Sequence, residues 1–180
     1  MKFRESHIFL KELRVSDVST KYVNWLNDHQ IVKFTQQNGK IANYKKVAHY
    51  VKEKQKSKYE FFYGIFIKQK KNDSSRISII HVGNIKIGPI NFFHKHAAIS
   101  YLVGEKKYWK KGIASIAIKK VVKIAKTRFF LKKVLSYVHQ ENIASTKVLL
   151  NNKFILEAKL KKKLRYKNKR VDELIFSKLI

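Results

Sequence analysis

Cysteine is absent from the sequence. No disulfide framework and no thiolate metal site can form, and nothing points to an oxidising compartment. Proline occurs once, at Pro89. No linker, boundary or internal repeat divides the chain, so 1–180 reads as one domain, long enough to bury a core. Long apolar runs are missing as well. A bilayer crossing takes about 20 apolar residues, and Phe61 to Ile67 has only the length of a buried strand. The N-terminal Met1-Lys2-Phe3-Arg4-Glu5-Ser6-His7 has no signal-peptide core, so the expected location is cytoplasmic. Acids are few: 12 Asp and Glu stand against 41 Lys and Arg, a formal charge of +29. Arginine is itself scarce, with six of those 41.

Apolar residues make up 44% and aromatics 13%, which excludes a disordered chain. The charge has two readings. One is a polyanionic partner, and the other is a lysine-biased composition, since the lysines are spread over every segment. Arginine is the usual bidentate reader of bases, and its scarcity turns the first reading away from nucleic acid and toward a phosphate-bearing ligand.

Hydrophobic periodicity orders the elements. Ser6 to Arg14 reads as a strand. Ser16 or Asp17 caps a helix carrying Val18, Tyr22, Trp25 and Leu26, and Gly39 marks a loop. Asn43 to Lys58 is a second helix, with Val47, Tyr50 and Val51 on one stripe. Glu60 to Lys68 is a buried strand, and Lys70 to Ser75 a polar turn. Ile77 to Ile87 is a strand with a bulge at Gly83. Gly88-Pro89 breaks it, Ile90 to Phe93 resumes it, and His94-Lys95-His96 turns. Ala97 to Val103 is a strand. A helix follows, with Ile113, Ala117, Val121 and Ile124 on its apolar stripe. Lys133 to His139 is a strand, Asn142 to Asn152 a short helix, Phe154 to Leu164 a strand, Arg165 to Arg170 a basic turn, and Val171 to Ile180 the closing strand. The class is α+β: a mixed, mostly antiparallel sheet of about seven strands flanked by four helices. The strands on either side of the central helix should be parallel neighbours.

The stretch Trp109-Lys110-Lys111-Gly112-Ile113-Ala114-Ser115 joins the strand Ala97–Val103 to that helix. A helix start carries backbone N–H groups without intrahelical partners and about half a positive charge from the dipole, so it favours an anion, most often phosphate. Asn142-Ile143-Ala144-Ser145 adds a helix cap one strand later.

The element order, the turn and the Asn-x-x-Ser cap together resemble the GNAT superfamily of N-acetyltransferases, over essentially the whole chain. The family's phosphate loop has the form Gln/Arg-x-x-Gly-x-Gly/Ala. Trp109 to Ala114 matches it, with Trp in first place and Lys110 replacing a glycine that often precedes this one. The resemblance implies acetyl-CoA as donor and no metal. His94 and His96 suggest no third ligand. It implies that Trp109, Lys110, Lys111, Gly112, Ile113, Ala114 and Ser115 hold the pyrophosphate, that Tyr101, Leu102 and Val103 run along the pantetheine arm, and that Asn142 and Ser145 close its other side. A backbone N–H near Leu102 is the expected oxyanion donor. Many members continue with a tyrosine as general acid where this chain has Leu149. Ser145 is then the remaining hydroxyl near the sulfur, followed by Tyr137. For the base, His81, His94, His96, Glu60 and Glu105 are the candidates, and Asn84 and Ser100 could hold a water that carries the proton.

Two narrower likenesses bear on the acceptor. Trp before the glycine loop is similar to the ribosomal-protein N-acetyltransferase branch. Gly83-Asn84-Ile85 with Ile90-Asn91-Phe92-Phe93-His94-Lys95-His96 is similar to the nucleotide-sugar N-acetyltransferases of pseudaminic-acid and polysaccharide biosynthesis. The expected acceptor is therefore a small amine, first an amino group on a nucleotide-linked sugar. The alternatives are a protein N-terminus and a non-enzymatic nucleic-acid module. A homodimer is left open.

Overall fold

The computed structural model describes residues 3–70 and 77–180. Seven strands form one sheet: β1 (Ile8–Glu12), β2 (Phe61–Lys70), β3 (Ile77–Asn91), β4 (His96–Val103), β5 (Lys133–His139), β6 (Ile155–Tyr166) and β7 (Lys169–Leu179). Their order is β1-β2-β3-β4-β5-β7-β6. Only β4 and β5 run parallel, as the crossover through the central helix requires. The helices are α1 (Thr20–Asn27), α2 (His29–Val32), α3 (Tyr44–Lys56), α4 (Ile113–Thr127) and α5 (Ile143–Asn151). The one-turn α2 is the addition to the four expected.

Two apolar layers cover the sheet. On one face, α4 and α5 bury Ile113, Ala117, Ile118, Val121 and Leu149 against Ile65, Ile85, Ile87, Ile99 and Val134. On the other, α1 and α3 bury Tyr22, Trp25, Val47 and Val51 against Leu13 and Phe66. Side chains alternate between faces along each strand. Tyr101 and Val103 therefore join the α4 layer while Leu102 joins the α1 layer.

Several expected details change. The α1 cap is Ser19, which accepts from the Tyr22 N–H at 3.2 Å. Asp17 instead accepts from the Arg14 N–H, closing a 3-10 turn before it. Gly88-Pro89 does not break β3. The strand runs through, and the two residues are absorbed as a bulge against β4, between the pairs Ile87/Ile99 and Ile90/Ala97. A second irregularity, between the pairs Ile65/Gly83 and Phe66/His81, leaves Val82 unpaired beside the expected Gly83. The basic turn shrinks to Lys167 and Asn168, because β6 and β7 extend toward the tip. The polar turn expected over Lys70 to Ser75 lies, from 71 on, outside the described residues.

Candidate active site

Between β4 and α4 the chain makes a 3-10 turn, Lys106–Tyr108, and then reverses through Trp109 to Gly112. Gly112 has φ +84, a left-handed conformation that glycine adopts without steric cost, although a Cβ there would meet nothing within 4 Å. Among the described residues no side chain caps the first turn of α4, and the orphan N–H groups at that helix start have no partner there. Lys110 also adopts a left-handed backbone, φ +59, and is exposed. The Trp109 indole N–H donates to the Val103 carbonyl at 2.8 Å and ties the turn to the end of β4.

Beside this turn the sheet opens. β4 and β5 pair only at His96/Lys133, Ala97/Val134 and Ala98/Leu135. Beyond Ala98 the two strands part, leaving the inner edge of β4 without a strand partner. The backbone groups of successive residues point to opposite edges. Lys95 O accepts from Lys132 N on the β5 side at 2.7 Å, and Gly104 N donates to Val82 O on the β3 side at 2.9 Å. The odd-numbered Tyr101 and Val103 thus direct their N–H and C=O groups toward the gap, where the Val103 carbonyl already accepts from the Trp109 indole, whereas Leu102 presents its own to β3. Of the N–H groups near Leu102, those of Tyr101 and Val103 face the gap.

Across the gap, Asn142 caps α5 by accepting from the Ser145 N–H at 3.1 Å. The Ser145 and Tyr101 hydroxyls lie 2.7 Å apart, linking α5 to β4. Burial pushes the Tyr101 phenol up to about 12. Leu149 is fully buried in the core. Ser115 Oγ accepts from Asn152 Nδ2 at 2.9 Å, which locks α4 to α5. Tyr137 is half exposed, and its strand parity sets it on the sheet face away from α5 and Ser145.

On the α1 face, Trp25 lies flat against Gly104. A Cβ at 104 would come within 2.0 Å of the indole. The Trp25 Nε1–H donates to Glu105 Oε1 at 2.9 Å, and Lys21 Nζ lies 3.3 Å from the same oxygen. His81 Nε2 faces two acceptors, Asn84 Oδ1 at 2.8 Å and Gly83 O at 3.0 Å, so it carries the proton. The ring stacks on Phe66 at 4.8 Å and meets Trp25 at 5.0 Å. Burial pushes its pKa below the usual histidine range, leaving a neutral imidazole with its lone pair on Nδ1.

The other expected residues fall elsewhere. His96 opens β4, seven residues from Val103, about 23 Å away along an extended strand. It is at the wrong end of the sheet for the gap, and His94 is exposed in the turn just before it. Ser100 is exposed and paired with Lys86, so it encloses no buried water. Asn84 is buried, but its oxygen is already taken by His81. Glu60 is held between Lys54 and Lys86. Among the described residues no group of three or more His, Asp or Glu is arranged to hold a metal ion. The reasoning from sequence missed the Tyr101 hydroxyl, the Trp25–Glu105 bond and a His139 cluster described below. Each joins residues dozens of positions apart, and no local spacing signals such a contact.

A family model described as an acetyltransferase (GNAT) domain matches residues 7–155. The chain belongs to the GNAT acetyltransferase family. Membership makes it an N-acetyltransferase that draws on acetyl-CoA. Three solved structures share this GNAT fold. The spermidine N-acetyltransferase of Vibrio cholerae, in complex with CoA and spermine, has a TM-score of 0.82 at 17% identity, covering 97% of this chain and 96% of that one. A probable acetyltransferase scores 0.81 at 17% identity, covering 99% and 97%. A GNAT-family acetyltransferase of Streptococcus pneumoniae scores 0.72 at 17% identity, covering 96% and 99%. No curated protein matches in sequence. At such identities the structural matches speak for the GNAT fold and leave the acceptor open. No helix among the described residues is long and apolar enough to cross a membrane.

Proposed function

We propose that this enzyme acetylates the amino group of a phosphate-bearing acceptor, first a nucleotide-linked amino sugar. The observation that carries this reading is the charge. With 12 acids against 41 Lys and Arg, the molecule presents a strongly positive field. A diphosphate-linked amine is drawn into such a field, while a polyamine or the N-terminus of a basic ribosomal protein must approach against it. The β6–β7 hairpin concentrates the effect, with exposed Lys161, Lys162, Arg165, Lys167, Lys169 and Arg170 at its end.

The first-turn amides of α4 hold the donor pyrophosphate, with Lys110 and Lys111 nearby. The open backbone edge of β4, the Tyr101 N–H and C=O and the Val103 N–H, binds the pantetheine arm, and Asn142 and Ser145 flank it. A Tyr101 or Val103 N–H facing the gap donates to the thioester oxygen as it becomes negative. The acceptor enters from the α1 face. Its amine must be neutral to attack the acetyl carbon, and His81 Nδ1 or the Glu105 carboxylate takes the released proton, directly or through water. As the C–N bond forms and the C–S bond breaks, the Ser145–Tyr101 hydroxyl pair supplies a proton to the departing thiolate.

Thiol release from acetyl-CoA, measured against an amino-sugar nucleotide, spermidine and an N-terminal peptide, tests the reading. Release with the amino-sugar nucleotide is expected. Release confined to spermidine or to the peptide overturns it.

A further inference from the structure

His139 is the last residue of β5, four residues past the final β4–β5 pair at Ala98/Leu135, where the two strands have parted. It is only 6% exposed. The Glu141 N–H donates to its Nδ1 at 3.2 Å. A nitrogen that accepts from an amide bears no proton, so the neutral ring carries its hydrogen on Nε2. Burial also pushes the pKa of the ring down, against the opposing pull of Glu141. Among the described residues, that Nε2 has no hydrogen-bond partner. A buried donor without an acceptor is uncommon in a folded protein and calls for an explanation.

Its surroundings suggest one. Phe34, just beyond α2, packs on the imidazole at 4.8 Å, and Tyr166 of β6 meets it edge-on at 4.6 Å. The segment leaving α1 thus reaches across the α1 face, from the Asp28–Lys106 ion pair at the end of β4 to the end of β5. Glu173 of β7 is the cross-strand neighbour of His139, and Lys163 holds its carboxylate at 2.7 Å. Lys33 sits over Phe34 and Lys167 over Tyr166. The cluster combines apolar ring faces, a neutral N–H donor and a rim of lysines.

We infer that His139 Nε2–H, covered by the Phe34 and Tyr166 rings in this structure, becomes a specificity contact for the acceptor when those rings move apart, donating to a hydroxyl, ring or phosphate oxygen of the bound acceptor. This rests on the proposed phosphate-bearing amino sugar and narrows it to an oxygen that His139 itself reads. Aromatic faces suit the C–H surfaces of a sugar ring, and the lysines suit its phosphates. A polyamine has ammonium donors and methylenes but no acceptor at neutral pH, so it leaves the Nε2 hydrogen unpaired.

Kinetics with UDP-glucosamine, glucosamine and spermidine test the contact. His139→Phe keeps an aromatic ring and removes the donor. It should raise the KM for UDP-glucosamine tenfold or more and leave the KM for acetyl-CoA unchanged. His139→Gln restores an N–H donor and should recover most of the loss. An unchanged UDP-glucosamine KM in His139→Phe overturns the inference, as does an equal loss of acetyl-CoA affinity by calorimetry. Turnover of spermidine alone, undiminished by His139→Phe, overturns both the inference and the proposed acceptor. Nitrogen-15 NMR of the free enzyme gives a readout that needs no substrate. A proton on Nε2 alone at pH 7 supports the assignment, and an Nδ1–H tautomer or a charged ring refutes it whatever the kinetics show.

Discussion

On the α4 side of the β4–β5 gap the groups proposed to hold the donor are mainly backbone amides, those of the first turn after Gly112 and of the open edge of β4. On the α1 side the proposed groups are side chains, most of them gathered from far apart: Trp25 with Glu105, and Phe34 with His139 and Tyr166, beside the local pair His81 and Asn84. The difference decides what each side tolerates. An amide keeps its direction whatever side chain the residue carries, so the proposed donor side accepts a lysine at 110. The acceptor side depends on particular rings and donors, so small changes there should cost more.

Gly104→Ala should give the largest effect. The new Cβ would enter the space of the Trp25 indole, which Glu105, His81 and Tyr22 hold in place. Overpacking of this kind costs about 1–3 kcal/mol. A misplaced acceptor wall should lower kcat/KM for the amine on the order of 100-fold. Acetyl-CoA affinity, measured by calorimetry, should change little. A parallel loss of both would break the separation between the two sides.

Next come the hydroxyls that join them. Tyr101→Phe and Ser145→Ala should each lower kcat by roughly tenfold to 100-fold, near the lower end for a general acid. Because the two groups share one hydrogen bond, the double variant should be little worse than either single one. The phenol stays protonated to about 12, so no alkaline fall in kcat from Tyr101 is expected below about pH 10. An additive double variant would show that the hydroxyls act separately.

The same contrast explains what could be read ahead of the structure. Strand alternation, the helix stripe and the Gly112 turn are local patterns with fixed periods, so the seven strands and the parallel β4–β5 pair were legible. The proposed donor site could be named from the sequence because Trp109 to Ser115 lies in one unbroken stretch. Which N–H near Leu102 faces the gap could not be read, because edge direction depends on register, which only pairing with β3 reveals. His96 drew attention through its composition, but strand length carries it to the far end of β4. His81 was named as a candidate base, but Trp25 and His139 looked like ordinary core residues, since Glu105, Phe34 and Tyr166 lie in other elements.

A smaller effect follows from His81. Its folded pKa lies below the unfolded value near 6.5, so the unfolded chain binds the proton more readily. The stability this provides is present above pH 6.5 and is lost as pH falls toward the folded pKa. His139 is shifted in the same direction and adds to it. Thermal melts from pH 7.5 to 5.5 should therefore show falling stability, by at most about 1.4 kcal/mol per pH unit for each proton. His81→Gln should flatten the slope. A slope unchanged by that substitution would mean that the ring is charged in the fold, and His81 would no longer serve as the neutral base of the acceptor side.

The smallest effect is the sharpest probe of the donor side. Lys110 holds a left-handed backbone, which costs a residue with a Cβ about 1–2 kcal/mol. Lys110→Gly removes that strain but frees the unfolded chain, giving back about 0.4–1 kcal/mol. The net gain should be about 0.5 kcal/mol, visible as a small rise in Tm. If the pyrophosphate is held by amides, acetyl-CoA affinity should stay within about threefold and become less sensitive to salt, because only a solvated charge has been removed. A large loss of affinity at every ionic strength would instead make the Lys110 ammonium a direct ligand. The donor side would then depend on a particular side chain, as the acceptor side does.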